Sequence, residues 1–283
     1  MKLVKKTVID KPDEVYNLHV KNDHNYVAND AVVANCHQAK ADMLKSLLTG
    51  PMAHIPIRWG LTGTVPKEKL AKASILCSLG PVMNEVSAKS LQDKGVLAQC
   101  HVNVLQLIDI KEFPNYQSEL KYLLTDEERQ YYMAKIIHNV SLSGNTLVLI
   151  DRVQAGKDLA TKLNENGFEA VFVSGATKGA QRKESYDEIK TGTNKIIIAT
   201  YGVASVGINI PRIFNLVLLE PGKSFVRVIQ SIGRGIRKAE DKDFVQIWDI
   251  TSSCKFAKRH LTERKKFYKE ANYPFTIEKI DWN

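Results

Sequence analysis

Beyond Asn145 the chain repeats one pattern: a short, nearly continuous apolar run followed by a helix with one polar face. "TLVLI" precedes "AGKDLATKLNENG" and "EAVFVSG" precedes "AQRKESYDEIKTG". "KIIIAT" and "NLVLLE" follow, then a helix over "SFVRVIQSIGRGIR" and the strand "FVQIWDI". Runs this short and this apolar read as strands buried on both faces, and parallel strands need helical crossovers of this kind. The pattern predicts an α/β domain, a parallel sheet with helices on both faces.

Upstream the pattern is looser. Gln38 to Leu48 reads as a helix, "IPIRWGLTGT" as a strand entering a tight turn at Gly63, and Glu68 to Cys77 as a second helix. "AQCHVNVLQLI" alternates like a strand, "IKEFPNYQSELKYLL" is polar and broken by Pro114, and a long helix runs from Asp126 to about Val140. "SLSGN" then punctuates the chain and predicts a domain boundary. A chain of 283 residues suits two domains. The expected division is 1–35, short and β-rich; 36–140, part of one α/β domain; and 141–283, a complete one.

Charge adds a partner class. The net charge is +9, and residues 1–35 carry five Lys against five acidic residues, so the surplus lies entirely after position 35. Such a surplus favours a polyanion, nucleic acid first. Cys36, Cys77, Cys100 and Cys254 are scattered without C-x-x-C pairs, which speaks against a zinc site or a disulfide framework. No apolar run has the length of a bilayer span, and "MKLVKKTVIDKPDEV" lacks the apolar core of a secretory signal. The expectation is a cytoplasmic protein with no metal site of its own and no membrane partner.

In open parallel sheets ligands sit beyond the carboxyl ends of the strands. The segments expected there are "ATYGVASVGINIP", after the strand ending at Ala199, and "QSIGRGIR". In the second, Arg234 and Arg237 are three residues apart on one helical face, with Gln230 a turn earlier. Two guanidinium forks on one face suit the charge that develops on a transferring γ-phosphoryl group. Gly233 and Gly235 weaken a helix at this point, which a merely solvated basic helix does not require.

These residues carry a resemblance. "QSIGRGIR" resembles the last motif of superfamily 2 helicases, QxxGRxxR, and "ATYGVASVGINIP" resembles the motif before it. "GLTGT" at 60–64 is similar to the motif coupling ATP hydrolysis to strand movement. "LVLI" followed by Asp151 and Arg152, then "VSGATKGAQR", fit the motifs between. Within the superfamily, "ATYGVASVGINI", "GRGIRK" and the "WDI" strand look most like the UvsW-type phage recombination helicases. The resemblance implies a RecA-like fold, one domain complete and one partial. It implies ATP contacts from Arg234 and Arg237, organised by Gln230, with Gly207 allowing close backbone approach. Asn209 stands where many members have Asp, and His37 falls at the end of the acidic motif on the nucleotide side. Thr62, Gly63 and Thr64 would relay the nucleotide state, and Ser174, Gly175 and Thr200 would lie on the nucleic-acid side.

Such a motor also needs a phosphate loop with its Lys and an Asp-Glu pair for magnesium. No such loop occurs in the sequence and no Asp-Glu pair stands directly before Cys36 and His37, yet these two are in register with the end of a "DECH" form of the acidic motif. Residues 1–35 suggest why. "EVYNLHVKNDHNYVAND" followed by "AVVANC" resembles the C-terminal blocks of an intein, and the initial Met makes it similar to the C-terminal half of a split one. Cys36 offers a thiol that can accept an acyl group. The Asn35 side-chain amide can attack its own carbonyl and cleave the bond before Cys36, and His24 is the candidate proton donor or acceptor. Two positions depart from the common intein pattern: Ala34 where His is usual, and Asn17 where many have Asp.

The sequence thus reads as a phage precursor acting in a bacterial cytoplasm. An intein fragment is fused to the later part of a helicase that uses ATP and Mg2+, the magnesium ligands coming from a partner half that carries the intein N-terminal fragment. Its expected substrate is DNA, branched by the resemblance. From Lys255 to Glu270, seven Lys or Arg oppose two Glu, with Phe256, Phe267 and Tyr268 interleaved. Lys265 and Lys266 are candidate backbone contacts, the alternative being a solvated helix with its aromatics inward. Two further classes stay open: a free-standing nucleic-acid-binding module without ATPase activity, and a cleavage-only intein fusion.

Overall fold

The computed structural model describes residues 25–28, 31–35, 42–55, 57–61, 65, 68–175, 177, 192–203, 212–224, 231–233 and 235–282. The chain divides into two compact units, one up to Met83 and one from Asn84 onward.

The first unit holds β1 (Asn25–Ala28), β2 (Ala31–Asn35), α1 (Asp42–Thr49), β3 (Ile57–Leu61) and α2 (Lys69–Leu79). β1 and β2 form an antiparallel hairpin, and β2 runs parallel to β3 with Asn35 opposite Leu61. Leu48 and Ile75 join α1 to α2, with Met52, Ile55 and Leu79 around them.

The second unit is a seven-stranded, wholly parallel sheet. Its strands are β4 (Gln99–Leu107), β5 (Thr146–Ile150), β6 (Ala170–Val173), β7 (Ile196–Thr200), β8 (Asn215–Leu219), β9 (Phe244–Ser252) and β10 (Phe275–Ile280). They lie in the order β10-β4-β9-β8-β5-β7-β6. The described helices are α3 (Ala88–Asp93), α4 (Tyr116–Thr125), α5 (Glu127–Ser141), α6 (Val153–Glu165) and α7 (Lys255–Glu270). Alternation along each strand separates two cores. Leu147 and Leu149 of β5 point to the face covered by Ile232, Ile236, Leu261 and Tyr268. Val148 and Ile150 point to the face covered by Leu120, Leu124, Met133, Ile137, Leu159 and Leu163 from α4, α5 and α6. The expected parallel sheet covered on both faces is present.

The boundary expected between residues 140 and 141 is not where the chain divides. β4 pairs with β9 along its whole length, Gln99 opposite Phe244 and Leu107 opposite Ser252, so residues 84–140 belong to the large sheet. The polar stretch "SLSGN" is a stapled turn between α5 and β5. Asn215 Nδ2 donates to Val140 O, Ser143 Oγ and Gly144 O at 3.0, 3.0 and 3.2 Å. Gly144 has φ +141°, and a Cβ there would fall 2.8 Å from the Phe214 side chain. A residue tied down this way cannot serve as a linker.

Three elements lie outside the sequence expectation: α3, α4 and β10. Asn115, directly after Pro114, caps α4 by accepting from Ser118 N at 2.9 Å, so the proline marks a helix start. The helix expected over "AQRKESYDEIKTG" lies outside the described residues, as does most of that over "SFVRVIQSIGRGIR".

Because β4 stands between β10 and β9, a fragment comprising 141–283 lacks the strand that joins them. Residues 84–283 should unfold cooperatively in a thermal melt followed by circular dichroism, whereas 141–283 should show no cooperative transition.

Candidate functional site

All seven strands are parallel, so their carboxyl ends form one edge of the sheet and their amino ends the other. Ser174 directly follows β6 and Thr200 ends β7. Val173 is opposite Ala199, which sets Ser174 and Thr200 side by side on adjacent strands. Ile150 is opposite Thr200, so Asp151 follows at the next level. Ser174 is buried, and its N–H donates to Thr177 Oγ1 at 2.9 Å while its carbonyl accepts from Thr177 N at 3.1 Å. Gly175 is exposed in this turn. The three residues expected on the nucleic-acid side therefore share one patch of the carboxyl edge.

Arg237 lies at the opposite edge. Its backbone bridges Leu97, and Ala98 N donates to Ile236 O at 2.9 Å, both just ahead of β4. The expectation that "QSIGRGIR" sits at the carboxyl ends is thus corrected for its last residue. The described part of the segment packs on one face of the sheet and finishes at the amino edge. Ile232 and Ile236 are fully buried under it. A Cβ on Gly235 would meet Leu216 Cδ2 at 2.9 Å, so this glycine serves close packing on β8, whereas Gly233 has nothing within 4 Å. The end of the segment is held by Lys242, which is buried and donates from Nζ to Gly235 O at 2.9 Å. Its backbone turns back through Lys242 N to Ala239 O at 3.1 Å.

The loop after β8, residues 220–224, is fixed by two buried guanidinium groups. Arg264 of α7 forms a two-pronged pair with Asp249 of β9, Nε to Oδ2 at 2.8 Å and Nη2 to Oδ1 at 2.9 Å. Its Nη1 donates to Gly222 O at 2.8 Å, and Tyr268 donates to Asp249 Oδ2 at 2.8 Å. Arg129 of α5 donates from Nη2 to Glu220 Oε1 at 2.9 Å and from Nη1 to Leu123 O. Glu220 also accepts from Thr251 Oγ1 at 3.1 Å. Glu220 has φ +42° and Gly222 φ +69°, so the chain reverses sharply here. Burial pushes the Glu220 carboxyl up to about 7 against the pull of Arg129 and Arg264. Asp109, after β4, accepts from Ser252 Oγ at 2.5 Å and from Tyr122 OH at 3.3 Å.

Sequence reasoning missed Lys242, Arg129, Glu220, Asp249 and Arg264 as parts of this arrangement. The signal was periodic. Arg264 falls between Leu261 and Tyr268 on the inward face of α7, and Arg129 precedes Met133 and Ile137 on that of α5. A charged residue at an apolar position of a helix is usually paired inside.

His24, Cys36, His37, Thr62, Gly63, Thr64, Gly207, Asn209, Gln230 and Arg234 lie outside the described residues. Asn35 is described in its backbone only, as the last residue of β2. On α7, Lys266 pairs with Glu263 at 2.8 Å, Lys265 is half-buried, and Tyr268 is fully buried with Phe256 and Phe267 half-buried. Tyr268 turns fully inward, while half-buried Phe256 lies with the exposed Lys255 Nζ 5.8 Å from its ring centre. Arg264, one of the seven basic residues counted there, is internal.

Residues 128–239 match the model of the helicase conserved C-terminal domain. The chain is 26% identical over 274 residues to the ATP-dependent DNA helicase uvsW of Enterobacteria phage T4, covering 94% of this chain and 52% of the relative. At that coverage, part of the first 35 residues lies inside the matched stretch. The chain spans about half the length of the curated relatives it matches. Among solved structures, the crystal structure of T4 UvsW aligns with 89% of this chain and 54% of its own at a TM-score of 0.57 and 20% identity. A fragment assigned as the HsdR subunit of a type I restriction enzyme from Vibrio vulnificus aligns with 89% of this chain and 48% of its own, at a TM-score of 0.70 and 18% identity. The sheet is RecA-like, of the helicase C-terminal kind.

Removing one partner of a buried pair leaves the other charge stranded. Arg264→Met should destabilise the protein by about 3–5 kcal/mol, and adding Asp249→Leu should restore much of that loss in urea unfolding. A pH signature is expected of Lys242, whose ammonium burial pulls down from 10.5 to about 8. Between those values the unfolded chain binds the extra proton, so this group's contribution to stability rises with pH. Cys100 and Cys254, pushed up by burial from 9.0 to about 11, oppose the rise only above pH 9. Stability measured from pH 8 to 9 should therefore climb more steeply in the native protein than in Lys242→Met.

Proposed function

We propose that this chain is the later part of an ATP-driven DNA motor, and that residues 1–35 are an intein fragment through which it is joined to its earlier part. The motor reading is carried by one observation: a helicase C-terminal match laid on a sheet whose Arg237 and hydroxyl patch occupy opposite edges. An enzyme that converts hydrolysis into strand movement must hold nucleotide and nucleic acid at separate surfaces of one rigid body.

At the amino edge Arg237 carries a planar, permanently charged fork suited to phosphate oxygens. Packing of Gly235 on Leu216 and the Lys242 bond to Gly235 O fix the backbone just ahead of Arg237. The donor set fits the phosphates of ATP. It does not supply a magnesium site, because the described residues contain no cluster of three carboxylate, His or Cys side chains. When bound, magnesium neutralises charge on the β- and γ-phosphate oxygens, with ligands from the partner half. At the carboxyl edge, the turn at Ser174 and Gly175 and the neighbouring Thr200 form the surface that would meet a DNA backbone.

Joining the halves uses chemistry at the end of β2. The Cys36 thiolate attacks the thioester at the partner's junction and takes over its acyl group, releasing the partner's thiol. The Asn35 side-chain nitrogen then attacks its own main-chain carbonyl, closing a succinimide and freeing the Cys36 amine, with His24 exchanging the proton. That amine captures the acyl group from sulfur, leaving an ordinary peptide bond. Support comes from the Asn35–Cys36 junction and from its place at the end of β2. By the resemblance, the joined enzyme works on branched DNA in a phage-infected cytoplasm.

Mixing the chain with a partner carrying a phosphate loop and an intein N-terminal half should give, by mass spectrometry, a ligated product and an excised fragment ending at Asn35. Cys36→Ala should abolish ligation, and only the ligated product should hydrolyse ATP when DNA is added. Release without ligation would identify a cleavage-only fusion. Unchanged masses would leave a binding module and overturn the splicing reading.

A further inference from the structure

The carboxyl edge does not end at the hydroxyl patch. Across the sheet, where β4 and β9 finish and α7 begins, lies a groove of about 640 Å³. Its walls include Lys111, Phe113, Lys255, Lys258, Arg259 and Thr262. Lys255, Lys258 and Arg259 are exposed, and no described carboxylate forms an ion pair with any of them. Lys111 is held over the Tyr122 ring at 4.3 Å and lies 3.5 Å from Asp126.

Helical geometry extends the feature. Lys255, Arg259, Thr262, Lys266 and Lys269 recur at three- and four-residue spacings and are exposed, with Lys258 beside them. They form a stripe roughly 21 Å long at 1.5 Å per residue. The opposite face buries Ala257, Leu261, Arg264 and Tyr268, so the helix cannot turn its cations away. The acidic groups nearby are few or engaged. Glu263 pairs with Lys266, and Glu119 accepts from Phe256 N and Ala257 N at the start of α7. Asp109 is buried among its partners, Glu112 lies exposed on the rim, and Glu270 flanks the far end of the stripe. The first-turn N–H groups are thus taken, and the positive potential comes from side chains.

The surface has the chemistry of a backbone track: closely spaced cations, a half-buried Phe113 whose ring stacks on Tyr122 at 5.1 Å, and no exposed aromatic on α7 to read bases. Its position adds a second argument. Five strand spacings of about 4.8 Å separate β6 from β4, so the hydroxyl patch and the groove lie roughly 24 Å apart along the same edge.

We propose that a nucleic-acid strand follows the carboxyl edge past β8 into this groove, where Lys255, Lys258 and Arg259 grip consecutive phosphodiester groups without regard to sequence. The proposal rests on the reading of the carboxyl edge as the nucleic-acid side and adds a second anchoring surface to it.

The test uses the full chain, with fluorescently labelled DNA and RNA oligonucleotides, single-stranded and duplex, titrated by anisotropy between about 50 and 200 mM salt. Lys258→Glu/Arg259→Glu should weaken binding by about tenfold or more at the lower salt and reduce the slope of log affinity against log salt by about 2. A circular dichroism melt matching the native chain excludes misfolding, and neutral Lys258→Gln/Arg259→Gln provides the milder variant. Binding that survives both double substitutions but is lost in Ser174→Ala/Thr200→Val would overturn the groove and keep the edge. A native chain with no salt-dependent binding to any oligonucleotide would overturn both.

Discussion

The fork between Arg264 and Asp249 is the contact on which the rest of the large unit depends. Both groups are essentially excluded from water, and their pairing is acceptable only because every oxygen and most donors find partners. Asp249 comes from the middle of β9, Arg264 from the inward face of α7, and the third prong reaches Gly222 in the loop after β8. One side chain therefore registers a helix, a strand and a loop together. Hydrophobic packing alone would hold α7 to the sheet; it would not fix the helix at one rotation and one height, as a planar fork does.

The second guanidinium works in parallel. Arg129 joins α5 to the same loop through Glu220, on the other face of the sheet. The reversal after β8 is thus clamped from both layers, and the left-handed backbone at Glu220 is sustained by that clamp. The loop after β8 is held by ions, and the end of the arginine segment by Lys242 bonded to a carbonyl. That end is packed on β8, where Gly235 leaves room for Leu216. Rigidity there suits a surface that must present charge without rearranging.

Much of the fold was legible because buried parallel strands have an unmistakable composition: β5, β7 and β8 are nearly uniform runs of Ile, Val and Leu. What escaped was structure without that mark. β10 lies at the sheet edge with most of its residues exposed, so "FTIEKI" alternates without a buried run. The boundary was misplaced because Ser, Gly and Asn suit both linkers and tight turns, and only the bonds from Asn215 distinguish them. For the site, the arginine motif was visible from its spacing, while the ionic scaffold was not. Arg, Asp and Glu in isolation look like surface; their burial shows only once the helical period is laid over them. Gly235 was read correctly as significant and for an incomplete reason, since close packing also demands it.

The sheet order has a consequence for how such a chain is made. β4 is among the first strands of its sheet to be synthesised, yet both neighbours, β9 and β10, come from the last part of the chain. At about 5–20 residues per second, the roughly 140 residues separating β4 from β9 hold that strand open on the ribosome for many seconds. Through that interval a nine-residue strand that buries Val102, Val104, Leu105 and Leu107 in the finished sheet has neither neighbour to pair with. Chaperone occupancy of nascent chains, more than the equilibrium stability of the finished sheet, then governs how much soluble protein a cell obtains.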